Sequence, residues 1–170
     1  LTRIGLLSDT HSFLDNSVFE HFKNCDEIWH AGDFGDVGVI EQLTSFKPLR
    51  GVFGNIDDTR IRARFPEDLF FQCEGVHVYM RHIGGYPGRY APGVKDKIKK
   101  SQSGLFISGH SHILKVIYDD SLNCLHMNPG AAGNHGWHKT KTLIRFDIEG
   151  KDMKNCQVIE LGERSAILTK

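Results

Sequence analysis

The chain has 170 residues, 21 of them basic and 21 acidic, with 39% hydrophobic and 25% charged positions. That length can bury a substantial core as one domain spanning residues 1–170, and the balanced charge does not favour large nucleic acids or an anionic membrane surface. No apolar run approaches the ~20 residues of a membrane span and no leader pattern is seen; the scattered cysteines, which read as reduced thiols, give the cytoplasm as the expected location.

Residues 4–7 predict a short buried strand, followed by Asp9 and His11 two positions apart. On extended backbone these two side chains would share a face, at the carboxyl end where open α/β sheets keep their ligands. Ser12 or Asp15 is placed to cap a helix carrying Val18, Phe19, Phe22 and Cys25 at the helical period. Residues 26–30 predict a second strand, closed by Ala31-Gly32-Asp33. Asp36 then caps a helix with Val39, Ile40, Leu43 and Phe46 on one face, ended by Pro48. Residues 49–53 predict a third strand, closed by Gly54-Asn55. Successive strand–helix units argue for parallel pairing in a layered α/β sheet.

Two strands, 69–73 and 76–80, are expected around Glu74-Gly75, the second running into Arg81-His82 and a Gly/Pro-rich loop. A basic helix over 94–100 has lysines that read as a solvated face. A buried strand over 105–108 leads into Gly109-His110-Ser111-His112, and strands over 115–118, 122–127, 142–148 and 154–159 complete the chain. Cys25, Cys73, Cys124 and Cys156 are widely scattered and predict reduced, buried thiols. Several of the ten histidines stand at the ends of apolar runs beside Gly or Asp, a placement that suggests metal chemistry.

Five apolar runs end in metal-competent groups: Asp9 with His11, Asp33, Asn55, His82, and His110 with His112. Each alone has a structural explanation, Asp33 as a turn former, Asn55 as a left-handed residue, His82 as a bonded core histidine. Independent structural demands have no reason to place them at successive strand ends. Six or seven N/O ligands without a cysteine exceed one tetrahedral site, and the Asp33 carboxylate is the natural bridge between two cations. A pair of divalent ions roughly 3.5–4 Å apart would hold a hydroxide and clamp the oxygens of a displacement at phosphorus. Imidazole and carboxylate suit Mn, Fe, Ni, Co or Zn, with Mn the favoured choice. His77 is a competitor for His82, which is preferred because it ends its run before glycines; His30 reads as a core residue.

Asp9-x-His11, Gly32-Asp33-x-x-Asp36, Gly54-Asn55-Ile56-Asp57, a lone His82 and Gly109-His110-x-His112 match, in order, the motifs of calcineurin-like metallophosphoesterases. As far as Gly130 the chain resembles the small bacterial and archaeal phosphodiesterases of that group, including His30-Ala31-Gly32-Asp33 and Asn128-Pro129-Gly130. The resemblance implies an α/β fold, a four-layer α-β-β-α sandwich of two mostly mixed β-sheets flanked by helices. It implies a dinuclear centre with Asp9, His11, Asp33 and His112 on one ion and Asp33, Asn55, His82 and His110 on the other. The implied activity is hydrolysis of a small phosphodiester by an ion-held hydroxide attacking in line, with Asn55 and His110 as catalytic residues. Relatives often form dimers or tetramers, so a homo-oligomer stays open.

The chain departs from the family at position 56, where the usual histidine, thought to protonate or stabilise the leaving oxygen, is Ile56. General acid help is worth ~10²–10⁴-fold, so its loss favours esters with good leaving groups. His135 or His138 is the candidate replacement, and Arg89 and Tyr90 are candidate substrate contacts. A rival reading is the protein-binding scaffold that the same fold provides in a retromer subunit; retention of all seven metal-competent groups weighs against it.

Overall fold

The computed structural model describes residues 1–164; residues 165–170, the end of the span expected to form one domain, lie outside the described residues. The first sheet collects β1 (Thr2–Leu7), β2 (Glu27–His30), β3 (Leu49–Gly51), β11 (Thr140–Glu149) and β12 (Asp152–Glu163) in the order β12-β11-β1-β2-β3. The second collects β4 (Asp68–Cys73), β5 (Val76–Arg81), β8 (Leu105–Ile107), β9 (Lys115–Asp119) and β10 (Cys124–Asn128) in the order β4-β5-β8-β10-β9. In each sheet three neighbouring strands run parallel, β1-β2-β3 and β5-β8-β10, and antiparallel strands extend them. The parallel pairing expected from the strand–helix succession is therefore present.

Period-two alternation explains the layers. Ile4, Leu6, Trp29 and Ala31 face inward against Val78, Met80, Leu105, Ile107 and Met127 to make the core between the sheets. The opposite face of the first sheet, with Leu7 and Ile28, is covered by α1 (Ser17–His21) and α2 (Val37–Phe46) through Val18, Val39, Ile40 and Leu43. The outer face of the second sheet, with Tyr79, Phe106 and Cys124, is covered by Val94 and Ile98 of α4 (Val94–Ser101). The layers thus run α-β-β-α. At Gly5 a Cβ would lie 2.6 Å from the Phe22 ring, so the outer face of β1 lets an aromatic sit directly on the backbone.

Asp36 accepts from Val39 N (3.1 Å) and caps α2 as its spacing predicts. The first helix is shorter than its apolar period suggests. Asp15, rather than Ser12, binds Ser17 N (2.9 Å), and the chain turns off after one turn to begin β2. Two small elements escape sequence periodicity: α3 (Thr59–Arg62), a single turn capped by Asp58, and a hairpin of β6 (Gly85–Tyr86) and β7 (Arg89–Tyr90) inside the Gly/Pro-rich loop. Of the cysteines, Cys25, Cys73 and Cys124 are buried free thiols as expected, whereas Cys156 lies on the edge strand β12, in a stretch where residues 154–158 are all exposed.

Candidate metal centre

The loops after β1, β2, β5 and β8 meet at the carboxyl ends of the parallel strands and are joined by backbone bonds. Asp9 N donates to Gly32 O (2.9 Å), His11 N to Asp33 O (3.1 Å), and Gly109 N to His82 O (3.0 Å). The two sheets connect where His110 N donates to Asp9 Oδ2 (3.1 Å). The expectation that Asp9 and His11 converge by strand alternation is corrected here: β1 ends at Leu7, and both residues have left-handed backbone, φ 54° and 45°. Asp33, His110 and His112 share that conformation. Non-glycine residues pay for it in strain, and such residues gather at functional sites. Turn geometry, not the strand, aims these side chains inward.

Two groups of three result, Asp9 with His11 and His112, and Asp33 with His82 and His110. Asp9 Oδ1 lies 3.1 Å from His112 Nε2, while its Oδ2 accepts from the Ser8 hydroxyl (2.6 Å). Asp33 Oδ2 stands between the groups, 3.3 Å from His11 Nε2 and 3.1 Å from His82 Nε2. Asn55 Oδ1 closes the second group, 3.1 Å from His82 Nε2 and 3.0 Å from His110 Nδ1. All seven expected metal residues are brought together.

The chemistry of this donor set fits divalent cations. His82 donates Nδ1–H to the Ala31 carbonyl (2.7 Å), so a neutral ring turns its Nε2 lone pair toward the oxygens of Asp33 and Asn55. His11 Nε2 is buried and has no hydrogen-bond partner. Lone pairs facing lone pairs in a buried site need a cation between them, either protons on the rings or metal. Without metal the charges compensate locally. Burial alone would raise the Asp9 and Asp33 carboxyls, yet the surrounding imidazoles hold both well below the carboxylate range. Burial opposes protonation of His11 and His82, but the two carboxylates outweigh it, lifting His11 to about 9 and raising His82. His110, pulled down by burial and by its neighbour His82, stays the least basic of these rings.

Several residues that hold the site were not singled out for that task from spacing. Asp57 is buried and accepts from Asp33 N (3.0 Å), Gly54 N (2.8 Å) and Gly35 N (3.0 Å), tying the loops after β2 and β3 around one carboxylate. Its position directly after Gly54-Asn55-Ile56 is the signal that could have found it. Asn128 donates to Gly109 O (3.1 Å) and Ser111 Oγ (3.1 Å), which fixes the loop bearing His110 and His112. At Gly54 a Cβ would stand 2.0 Å from Asp33 Oδ1, so only glycine lets the Asp33 carboxylate lie against this loop.

His135 stacks on His11 (centroids 4.7 Å, 21°), and His138 binds Gly133 O (2.7 Å) beside the His112 ring. Both flank the Asp9 group, whereas Ile56 adjoins Asn55 in the other group and is 44% exposed. Arg89 lines a concavity of about 250 Å³ that reaches His110. A larger concavity, about 800 Å³, contains Arg89 and Tyr90 but no residue of the centre, so size is no guide to the site. His77 is exposed at the start of β5, away from the cluster, and His30 is fully buried against Phe34 (centroids 3.7 Å).

Residues 2–151 match the family model of the calcineurin-like phosphoesterase superfamily domain. The chain belongs to that superfamily. It is 28% identical over 135 residues to a probable metallophosphoesterase of Methanothermobacter thermautotrophicus, covering 75% of this chain and 76% of the relative. It is 23% identical over 144 residues to a phosphodiesterase of Methanocaldococcus jannaschii, covering 75% and 82%. Among solved structures it superimposes on an archaeal phosphodiesterase (TM-score 0.75, 23% identity, 94% and 99% covered) and on Vps29 of Chaetomium thermophilum (0.76, 15%, 97% and 100%). At these identities the structures establish the fold. Among the described residues no helix is long and apolar enough to cross a membrane.

Proposed function

We propose that the chain is a dinuclear-metal phosphodiesterase acting on small diesters. The observation that carries this is the convergence of Asp9, His11, Asp33, Asn55, His82, His110 and His112, with the buried His11 Nε2 facing the carboxylate oxygens of Asp33 and Asp9. Asp9, His11 and His112 would hold one ion and Asn55, His82 and His110 the other, with Asp33 shared; manganese is the favoured metal. Such ions, when bound, act as Lewis acids and bring the pKa of a bound water near neutrality.

The chain's own groups prepare the rest. The Ala31 carbonyl fixes the tautomer of His82, and Ser8 and His110 N orient Asp9 through its second oxygen. Ile56 N–H (3.0 Å) does the same for Asp33. Asn55 and His110, the exposed members, present polar atoms at the solvent side, where a phosphoryl oxygen would gain stabilisation as its charge builds. The hydrophobic Ile56 supplies no proton, so the leaving group must depart largely unaided. That supports diesters of acidic alcohols and phenols. His135, stacked on His11, is positioned as a contact for the substrate on the opposite flank.

Metal analysis of the purified protein together with hydrolysis of bis(p-nitrophenyl) phosphate tests the reading. About two ions per chain and metal-dependent turnover are expected. A protein that binds no metal and stays inert with added Mn²⁺ would overturn it.

A further inference from the structure

The four sheet edges are unequally protected. An open edge presents unpaired backbone N–H and C=O groups, and proteins normally shorten, charge or bulge it. Among the described residues, β3 is three residues long, and β12 is bulged and carries Lys154 and Glu160. β4 exposes one large hydrophobic, Phe70, which stacks on Tyr79 (centroids 4.5 Å). The centre of β9 is defended least. Val116, Ile117 and Tyr118 are 42%, 38% and 53% exposed in succession, with Ile113 just ahead of them.

The ladder decides which backbone groups of β9 are free. Leu125 N donates to Gly104 O (2.9 Å) and Met127 O accepts from Ser108 N (3.1 Å), so these residues of β10 turn their backbone toward β8. Cys124, His126 and Asn128 therefore turn theirs toward β9, opposite Asp119, Ile117 and Lys115. That leaves the N–H and C=O of Val116 and Tyr118 pointing away from the sheet. By the same alternation Lys115, Ile117 and Asp119 share the outer face. The β6–β7 hairpin holds both charges there: Lys115 Nζ lies 3.7 Å from the centre of the Tyr86 ring, and the Tyr90 hydroxyl donates to Asp119 Oδ2 (2.6 Å). Val116 and Tyr118 share the opposite face.

We propose that β9 is the interface of a two-fold dimer, in which a second copy of this chain adds its own β9 antiparallel and joins the two β4-β5-β8-β10-β9 sheets into one. Self-complementarity of the strand argues for this occupant. With Ile117 on the axis, Val116 stands opposite the partner's Tyr118 and exchanges both outward backbone bonds with it, and the symmetry repeats the exchange. Lys115 stands opposite the partner's Asp119 on the outer face, so opposite charges meet at both ends and apolar side chains meet between them. Cross-strand pairs of both kinds are stabilising. A shift by two residues would set Ile117 against Lys115 or Asp119, and parallel pairing would set Lys115 against Lys115. The contact is isologous, so it closes at two copies instead of extending into a fibre. No residue of the metal centre takes part, and the dimer does not depend on the phosphoesterase reading.

Sedimentation equilibrium of the full chain over a micromolar concentration series tests the interface. The wild type is expected at twice the chain mass. Val116→Pro removes an outward N–H and leaves the bonds to β10 in place, a position where an edge strand accepts proline. The dimer should weaken about 30-fold or more, with the far-ultraviolet circular dichroism unchanged. Where Val116→Pro fails to fold, the charge pair decides. Lys115→Asp sets acid against acid at both ends of the interface, and Asp119→Lys sets base against base, so each alone should weaken the dimer about 10-fold. An equimolar mixture of the two should recover dimers to within about threefold of the wild type, because both end pairs are again opposite in charge. Mixing cannot repair a folding defect in either variant. A wild-type mass of one chain overturns the proposal. A dimer that survives Val116→Pro also overturns it, as do charge variants that change nothing or fail to recover on mixing. A wild type larger than a dimer must lose half its mass in Val116→Pro, and an unchanged mass overturns the proposal equally.

Discussion

Two sets of imidazoles divide this protein. His11, His82, His110 and His112 meet carboxylate or side-chain amide oxygens at the sheet edge, whereas His30 and His126 are fully buried and meet none. His30 is satisfied locally, with Nε2 3.0 Å from the Thr10 hydroxyl and Nδ1 accepting from Gly32 N (3.1 Å). Burial keeps it neutral, lowered to about 3. The same side chain therefore does opposite work. Where acceptors converge on its lone pair it calls for a cation; where a donor meets that lone pair it behaves as a polar aromatic in the core.

The largest effect should come from breaking what the first set shares. Asp33 faces His11 and His82 at once, so Asp33→Asn removes a charge from both groups. Metal content should fall from about two ions to fewer than one per chain. Diester hydrolysis should drop ~10³-fold or more, since each ion stabilises the transition state by several kcal/mol. Metal analysis and steady-state kinetics on the same preparation check both.

A paired substitution sharpens the contrast between the sets. His82→Ala should lose about one ion and roughly 10²-fold or more in activity. His30→Ala should instead lower the unfolding free energy by roughly 2–4 kcal/mol, through the cavity under Phe34 and the orphaned Thr10 contact, with both ions still bound. If the two variants lose metal equally, the division fails.

Ile56→His asks whether the exposed site beside Asn55 accepts the missing donor. The backbone N–H at position 56 keeps its bond to Asp33 Oδ1 whatever the side chain, so the loop should survive. Esters with poor leaving groups should gain about 10-fold or more in kcat, and p-nitrophenyl esters much less. An equal change for both would mean the residue acts on binding rather than on the departing oxygen.

Spacing along the chain made much of this legible. Hydrophobic runs of strand length, closed by Asp, Asn or His near Gly, marked most of the strands and the seven residues that the fold brings together, while the two-sheet arrangement came from the family resemblance. Spacing separated His30, read as a core residue, from His82, read as a ligand, without showing the cause, since both end apolar runs two residues before a glycine. The distinction lies in which backbone carbonyl or amide the ring meets, Ala31 O for His82 and Gly32 N for His30, and that is set by the loop's path. Asp57 was hidden for a similar reason, because two of its three partners come from the loop after β2, and the third from its own turn. Left-handed backbone at Asp9 and His11 was equally out of reach, as strand alternation offered a simpler route to the same convergence.

The smallest effect concerns the second set and has a definite sign. His30 and His126 have folded values of about 3 and 4, below the 6.5 of an unperturbed imidazole. The unfolded chain therefore binds more protons than the folded one between those limits. Stability contributed by the two neutral rings is complete above pH 6.5 and is lost as the pH falls through that window, by at most ~1.4 kcal/mol per pH unit for each ring. Buried carboxylates add acid sensitivity of their own, so the wild-type slope alone decides nothing. The difference between wild type and His126→Phe isolates one ring. Urea unfolding from pH 7 down to pH 4.5 should show the variant losing stability less steeply, the gap closing by about 1–3 kcal/mol across the range. Parallel slopes would mean that His126 is protonated in the folded protein, and the distinction between the two sets would then rest on His30 alone.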